Sequence, residues 1–396
     1  VVNRLDAVLS GSKAVVRRDY YKDWPSEQHE HVDQRRERMA NLYGHKHSDS
    51  KMWHSLLSYH SRIGYTYTPN IKTRVPFETG GYLVRTNSSG FRSDYEFVKE
   101  SAPNSCRAIL FGDSMVAGDG VSNNERFSDL LEKGIPDLEI FNYGLAGSGT
   151  DQAYLTYIDF GAVDHELIII GIWVGDITRV NSRYLTFYDA NGQKVFYAKP
   201  YFVIESGELV LKNVPVQKRP WTVETIPDEE AGHIDGNRRM MSLAQDLLGK
   251  FVPIQSLRLL AQKSGMSDIL QAATRLNRVP EYDAADNPAW LLLSKLLETW
   301  IQGAQAPVLV VPIPMWVHVE GTSDATGYQA RFRELAAKTG CFLHDPLPDL
   351  LAYDSKQRRN FRFKQDIHLS PNGHRAMAKS LAPAVDQIIQ KIRYKN

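Results

Sequence analysis

The sequence predicts an α/β protein in three layers, a parallel sheet flanked by helices on both faces, with a mixed β-hairpin and helical insertion. Three observations predict it. From Arg107 onward, short runs apolar on both faces alternate with helical stretches, the pattern of strands buried in a parallel sheet. That alternation breaks after Ile177 into β-prone, turn-punctuated text and resumes near Ala306. The 396 residues exceed the usual size of one domain, so a core with a large insertion or extension is expected.

In chain order, residues 1–104 are polar and aromatic-rich and are expected to form an extension packing on the core. HVDQRRERMANLY within it reads as a surface helix. From Thr66, TYTPNIKTRVPFETGGYLVRTNSSGFRSDYEF reads as loops and hairpins punctuated by Pro, Gly and Asn. RAILF is a buried strand, NERFSDLLEKG a helix and LEIFNYG a second strand. GTDQAYLTYIDFG is a helix with Thr150 or Asp151 as its N-cap, and ELIIIGIWV is a third strand. Residues 181–303 form the insertion, expected to act as a cap. It opens with hairpins that turn at Asn191-Gly192 and Ser206-Gly207. It continues with the amphipathic helices RRMMSLAQDLLGKFVPIQSLRLLAQ and NPAWLLLSKLLETWIQGA. APVLVVPIP, GYQARFRELAAKTG, CFLHDP and SPNGHRAMAKSLAPAVDQIIQKI then restore strand, helix, short strand and final helix. The core is therefore assigned to 105–180 and 304–396. Neither an internal repeat nor a low-complexity tract interrupts it.

Composition narrows the function. Forty-seven basic against 46 acidic side chains leave a formal charge of +1, which argues against nucleic-acid binding by bulk electrostatics. No apolar run approaches the roughly 20 residues of a transmembrane helix. The opening VVNRLDAVLSGSKAVVRR lacks the apolar centre of a signal peptide, which favours a soluble cytoplasmic protein. It also lacks an initiator Met, so a periplasmic or secreted protein that has lost a leader stays open. Cys106 and Cys341, the two cysteines, exclude a disulfide scaffold and a Cys-rich zinc site, and leave one bridge or two free thiols.

Two segments carry chemistry. In AILFGDSMVAGDG an apolar strand runs into Gly112-Asp113-Ser114, at the carboxyl end of a strand, where ligands of open α/β sheets bind. A serine there is a candidate nucleophile if a base can take its proton, and otherwise a turn residue. In FKQDIHLSPNGHRAMA, Asp366 stands two residues before His368 at the start of the last helix. A carboxylate so placed can orient an imidazole and stabilise its protonated form. Alone it reads first as a surface salt bridge or a helix-start carboxylate. Together, the segments would converge on one edge of the sheet.

On these residues the chain resembles the SGNH (GDSL-type) hydrolase superfamily, whose sheet is flavodoxin-like. Phe111-Gly112-Asp113-Ser114 stands for its first block, Asn142-Tyr143-Gly144 for its second, and Asp366, His368 and Pro371-Asn372-Gly373-His374 for its last. TNSSGFRSDYEF and GLAGSGTDQAYL resemble bacterial members with an N-terminal extension. The likeness spans roughly 60–180 and 305–392, about half the chain. It implies Ser114 as nucleophile, His368 as base and Asp366 as orienting acid, with the N–H groups of Ser114 and Gly144 in an oxyanion hole. It implies no cofactor and no metal.

Two departures qualify it. The usual two residues between acid and histidine are one here, a spacing that polysaccharide O-acetyltransferase-like relatives share. The family's Asn-Asp after the third strand has become Trp173-Val174-Gly175-Asp176-Ile177, so Gly175 or Asp176 replaces the oxyanion Asn. Loss of one such donor costs roughly 10²–10³-fold in rate. Ser148, Thr150, Gln152 or Arg179 are candidate replacements, and Asp113, Asn142, Asp176, Arg179 and Trp173 are candidate substrate contacts.

The expected activity is cleavage of an acyl or acetyl ester of a carbohydrate or small molecule through an acyl-enzyme. An O-acyltransferase acting on a glycan or metabolite is the alternative in the same chemistry. A catalytically impaired ligand-binding protein of the same fold is the alternative of another class. The oligomeric state, the acyl group and the alcohol stay open.

Other signals read more simply. Gly144-x-x-Gly147-x-Gly149 is a strand-to-helix turn rather than a nucleotide loop. His29, His31, His45 and His47 form two solvated His-x-His pairs. His344-Asp345 is a weaker alternative acid–base pair, and His374 a packed or capping residue. Trp173, Tyr184, Phe187, Tyr188, Phe196, Tyr197, Trp316 and His318 lie by the loops above the sheet edge and read as packing or as a sugar-stacking surface.

Overall fold

The structure, a computed structural model, describes residues 56–75, 77–102, 105–188, 194–218, 221–222, 279–364 and 366–393. The expected helix in HVDQRRERMANLY, the two His-x-His pairs, the Asn191-Gly192 turn and the helix from Arg238 lie outside the described residues.

Two antiparallel hairpins come first, β1 (Leu57–His60) with β2 (Gly64–Tyr67) and β3 (Lys72–Val75) with β4 (Tyr82–Arg85). The chain continues through β5 (Cys106–Phe111), α1 (Ser114–Ala117), α2 (Phe127–Gly134), β6 (Leu138–Asn142), α3 (Thr150–Phe160), β7 (Leu167–Trp173) and α4 (Ile177–Val180). Then come β8 (Tyr184–Tyr188), β9 (Lys194–Ala198), β10 (Tyr201–Glu205), β11 (Glu208–Lys212) and β12 (Trp221–Thr222). The last stretch holds α5 (Pro288–Gly303), β13 (Val308–Ile313), α6 (Trp316–Val319), α7 (Thr326–Thr339), β14 (Phe342–Leu343), α8 (Leu347–Leu351), α9 (Ser355–Arg359) and α10 (Pro371–Arg393).

The central sheet runs β14-β13-β7-β5-β6, and every neighbouring pair is parallel. All six residues of β5 and of β13 are buried, which is why these strands read as apolar throughout rather than alternating. Helices cover the sheet with one face each. α5 buries Trp290, Leu293, Leu297 and Trp300 at helical spacing, and Trp300 meets Phe111 of β5 edge-on at 5.5 Å. α10 buries Met377, Leu381, Val385 and Ile388 along one stripe.

Parallel strands end on one edge. β5, β6 and β7 therefore deliver Gly112-Asp113-Ser114, the loop 143–149 and Gly175-Asp176 to the same side of the sheet. Between β7 and α5 the chain leaves the sheet as antiparallel pairs, β8 with β9 and β10 with β11. Ser206 and Gly207, both at positive φ, make the second turn. α3 is capped by Gly149 rather than by Thr150 or Asp151, because Asp151 turns inward. Both cysteines are free thiols. Among the described residues no helix is long and apolar enough to cross a membrane.

Two buried arginines fasten the segment before β5, Arg107 at the amino ends of the strands and Arg92 at the carboxyl edge beside Ser114. Arg107 donates to the carbonyls of Val98, Lys99, Glu100 and Asp164 and pairs with Glu139. Arg92, from the SGFRS segment, is 1% exposed. It donates to the carbonyls of Ala117 (2.9 Å), Gly118 (2.7 Å) and Val121 (2.7 Å), and to Asn123 Oδ1. The loop that follows Ser114 is thus held from behind by one guanidinium fork. Arg92→Met leaves those acceptors without a donor and is expected to lower the unfolding free energy by about 3 kcal/mol. Urea unfolding measures it, and a loss below about 1 kcal/mol contradicts this role.

Candidate active site

The serine sits on a turn that only a glycine permits. A Cβ at Gly112 would lie 2.4 Å from Val116 Cγ2 and 2.5 Å from the Gly171 carbonyl, so backbone and strand β7 meet there directly. Asp113 is the N-cap of α1, and its Oδ1 accepts the Met115 N–H at 2.9 Å. Ser114 opens that helix and is 4% exposed. Its own N–H belongs to the first turn, where a helix supplies no intrahelical acceptor.

The histidine arrives from the other end of the chain. Loop 361–370 is pinned by the Arg362–Leu369 bridge and by the Ser370 N–H on the Phe361 carbonyl, 2.8 Å. Within it, Asp366 Oδ1 accepts the His368 backbone N–H at 2.8 Å and also pairs with His368 Nδ1. One oxygen serving both groups explains how a spacing of one residue suffices: it is an Asx turn closed on the ring. A carboxylate only accepts, so the proton sits on Nδ1 and Nε2 is left as acceptor. Nε2 lies 2.8 Å from Ser114 Oγ.

Burial pulls the His368 pKa down. The hydrogen bond to Asp366 and the charges of Asp119, Asp366 and Asp113 outweigh it, and the pKa ends above the usual 6.5. His374 shows the contrary case. It is fully buried, its Nδ1 accepts the Phe127 N–H at 3.1 Å, and burial lowers its pKa to about 3. It packs, as expected. His344 bonds Ser380 Oγ at 2.8 Å, and Asp345 accepts from Gln329 and Leu347, so that pair ties β14 to α7, α8 and α10.

Beneath the serine turn lies a largely buried charge cluster. Arg179 Nη1 donates to Asp113 Oδ2 at 3.0 Å and to the Ser148 carbonyl at 3.0 Å. The same nitrogen stands 2.8 Å from Asp176 Oδ1, off the line of a hydrogen bond. Lys199 pairs with Asp151 alongside, and both are essentially unexposed. Three carboxylates thus face two cations. Burial, then the neighbouring Asp113, raises the Asp176 pKa well above 3.8 against the pull of Arg179. That shift favours the acid form of Asp176 and so eases the excess of carboxylates over cations.

The structure reassigns several expected contacts. Asp113, Asn142 and Asp176 are each 2% exposed or less and point into this scaffold, not toward a substrate. Asn142 donates to the Val116 carbonyl and Ser128 Oγ, both at 2.9 Å. Its Oδ1 accepts the Gly144 N–H at 2.9 Å, which corrects the expectation that this N–H faces an oxyanion. A Cβ at Gly175 would fall 2.5 Å from the Trp173 indole, so that ring fills the place of any side chain there, an asparagine included. Arg179 stacks on the same indole at 5.2 Å. Of the candidate replacement donors, Ser148 and Gln152 are committed to Leu145 and Ile63 carbonyls, and the Thr150 hydroxyl is buried. Tyr184, Tyr197 and His318 are buried, whereas Trp173 and Trp316 keep part-exposed rings. The Trp316 Nε1–H donates to the Ile367 carbonyl at 2.5 Å. Sequence reading passed over Arg92 and Asp119, whose neighbours are set by packing.

No family model and no curated protein sequence matches the chain. Solved structures do. The chain is similar to a member of the lipolytic protein G-D-S-L family from Veillonella parvula, at 11% identity over 70% of this chain and 97% of that one, with a TM-score of 0.36. It is also similar to the lipase/acylhydrolase from Enterococcus faecalis, at 12% identity over 71% and 96%, with a TM-score of 0.36. A third is TesA, at 11% identity over 71% and 99%, with a TM-score of 0.37.

The charge cluster makes a stability prediction. An aspartate whose folded pKa is raised binds more protons folded than unfolded. Its contribution is favourable below its unfolded pKa and is lost as pH rises through the folded one. Asp176→Asn removes that titration. The variant is expected to be at least as stable as the parent near pH 8, with the difference shrinking toward about pH 4. Urea unfolding across that range checks it; a variant less stable near pH 8 contradicts a raised Asp176 pKa.

Proposed function

We propose that this protein is a serine esterase of the SGNH type, cleaving a carboxylic ester of a carbohydrate or another small molecule. The observation that carries the reading is the 2.8 Å approach of Ser114 Oγ to His368 Nε2, with Asp366 on the opposite ring nitrogen. A serine hydroxyl is a weak nucleophile until a base takes its proton, and the base needs its tautomer fixed.

In this reading His368 Nε2 removes the Ser114 proton as Oγ attacks the acyl carbonyl. The Ser114 N–H faces the oxyanion that forms. Asp366 keeps the ring oriented and stabilises the imidazolium. As the tetrahedral intermediate breaks down, the bond to the alcohol oxygen breaks and that oxygen takes the Nε2 proton. Water, deprotonated by the same nitrogen, then attacks the acyl-enzyme and releases the acid. With Gly144 and Gly175 both offering no donor to the oxyanion, turnover is expected to fall further below that of a site with a complete set than the roughly 10²–10³-fold that one donor is worth.

A fluorophosphonate probe should label the wild-type protein on Ser114 and should not label Ser114→Ala. His368→Ala should lose nearly all hydrolysis of an aryl acetate. Absence of labelling in the wild type, with no ester turned over, defeats the reading. Because His368 acts as a neutral base and its pKa is raised, kcat/KM should fall as pH drops through a value above 6.5. An acid limb below that value contradicts the assignment.

A further inference from the structure

The His368 ring has a carboxylate at each end. Asp366 holds Nδ1; at Nε2, beside Ser114 Oγ, Asp119 Oδ2 lies 4.0 Å away. Asp119 reaches this place because the chain turns sharply after α1. Gly118 and Gly120, at φ 81° and 92°, flank it, and its N–H donates to the Ser114 carbonyl at 3.1 Å. Arg92 grips the carbonyls of Ala117, Gly118 and Val121 on either side of it. The Asp119 side chain keeps 21% of its surface exposed, whereas Asp113 in the same turn keeps none. One carboxylate of this turn is therefore sealed in the scaffold, and the other stands part-exposed beside the reacting atoms.

We propose that Asp119 is a specificity residue that accepts a hydrogen bond from a hydroxyl next to the ester oxygen, on the alcohol half of the substrate. The inference rests on the reading of Ser114 and His368 as nucleophile and base. When the intermediate breaks down, the departing oxygen takes the proton from Nε2 and so lies within hydrogen-bond reach of it. Asp119 Oδ2 lies 4.0 Å from that nitrogen, so a hydroxyl on the carbon next to the departing oxygen has a carboxylate within its reach. Ionised carboxylates accept and do not donate, so this one selects hydroxyl-bearing alcohols such as polyols and sugars and repels anionic ones. Asp119 faces the ring together with Asp366 and Asp113, and Tyr67 and Tyr82 lie in its field.

The test compares 1-acetylglycerol with propyl acetate, which has the same carbon skeleton without the hydroxyls. Wild-type kcat/KM should favour 1-acetylglycerol by about tenfold, the worth of a hydrogen bond to a charged group, and Asp119→Asn should abolish most of that preference. The acid limb of the variant should also move to lower pH, since one of the carboxylates facing His368 is neutralised. An unchanged ratio, with both esters slowed equally, overturns the proposal in favour of a purely electrostatic role. Should the variant not fold, acetoxyacetate decides on the wild type: its carboxylate should make it a poorer substrate than propyl acetate, and equal rates overturn the proposal. Fluorophosphonate labelling of Ser114 runs alongside. Labelling without any preference for 1-acetylglycerol overturns the Asp119 role alone; no labelling overturns the underlying reading and this one with it.

Discussion

The contact on which the site depends joins residues 254 positions apart, Ser114 at the end of the first sheet strand and His368 just before the last helix. Neither side chain reaches the other through local structure. They meet because five parallel strands end on one edge and because loop 361–370 is tied back on itself at Arg362–Leu369 and at Ser370. The sheet supplies the convergence, and two short-range devices supply the aim. Asp113 caps α1 and sets the serine, while the Asx turn at Asp366 sets the ring.

Beneath that contact the protein keeps charges in the dry interior, where isolated ions cost most. Arg179 binds Asp113 directly behind Ser114, and Lys199 with Asp151 extends the cluster toward the antiparallel strands. The raised pKa of Asp176 eases the excess of three carboxylates over two cations. The cluster fixes the turn from one side as Arg92 fixes the following loop from the other. This double hold supports the 2.8 Å approach of the Ser114 hydroxyl to the imidazole, the geometry that the proposed proton transfer requires.

Much of this was legible in the sequence. RAILF, LEIFNYG, ELIIIGIWV and APVLVVPIP read as buried parallel strands because each is apolar on both faces, and each forms a strand of the sheet. Gly112-Asp113-Ser114 and Asp366-x-His368 stood out because the chemistry needs those side chains beside a strand end and a helix start. What was hidden depends on partners far off in sequence. Gly144 reads as an open backbone donor until Asn142 folds onto it. Asp176 reads as a stand-in for the oxyanion Asn or as a substrate contact until Arg179 and burial enclose it. The Gly175 departure gains its meaning from the Trp173 ring lying over it. Asp119 reads as a loop residue between glycines, and only the meeting of α1 with loop 361–370 brings it to His368.

The most direct measurement is the fate of the acyl group. Rapid-quench mass spectrometry of the intact protein turning over an aryl acetate, followed by peptide mapping, should find one transient acetyl group on Ser114. Turnover with the acetyl group on another side chain, or with no covalent species while Ser114→Ala stays fully active, would contradict the account.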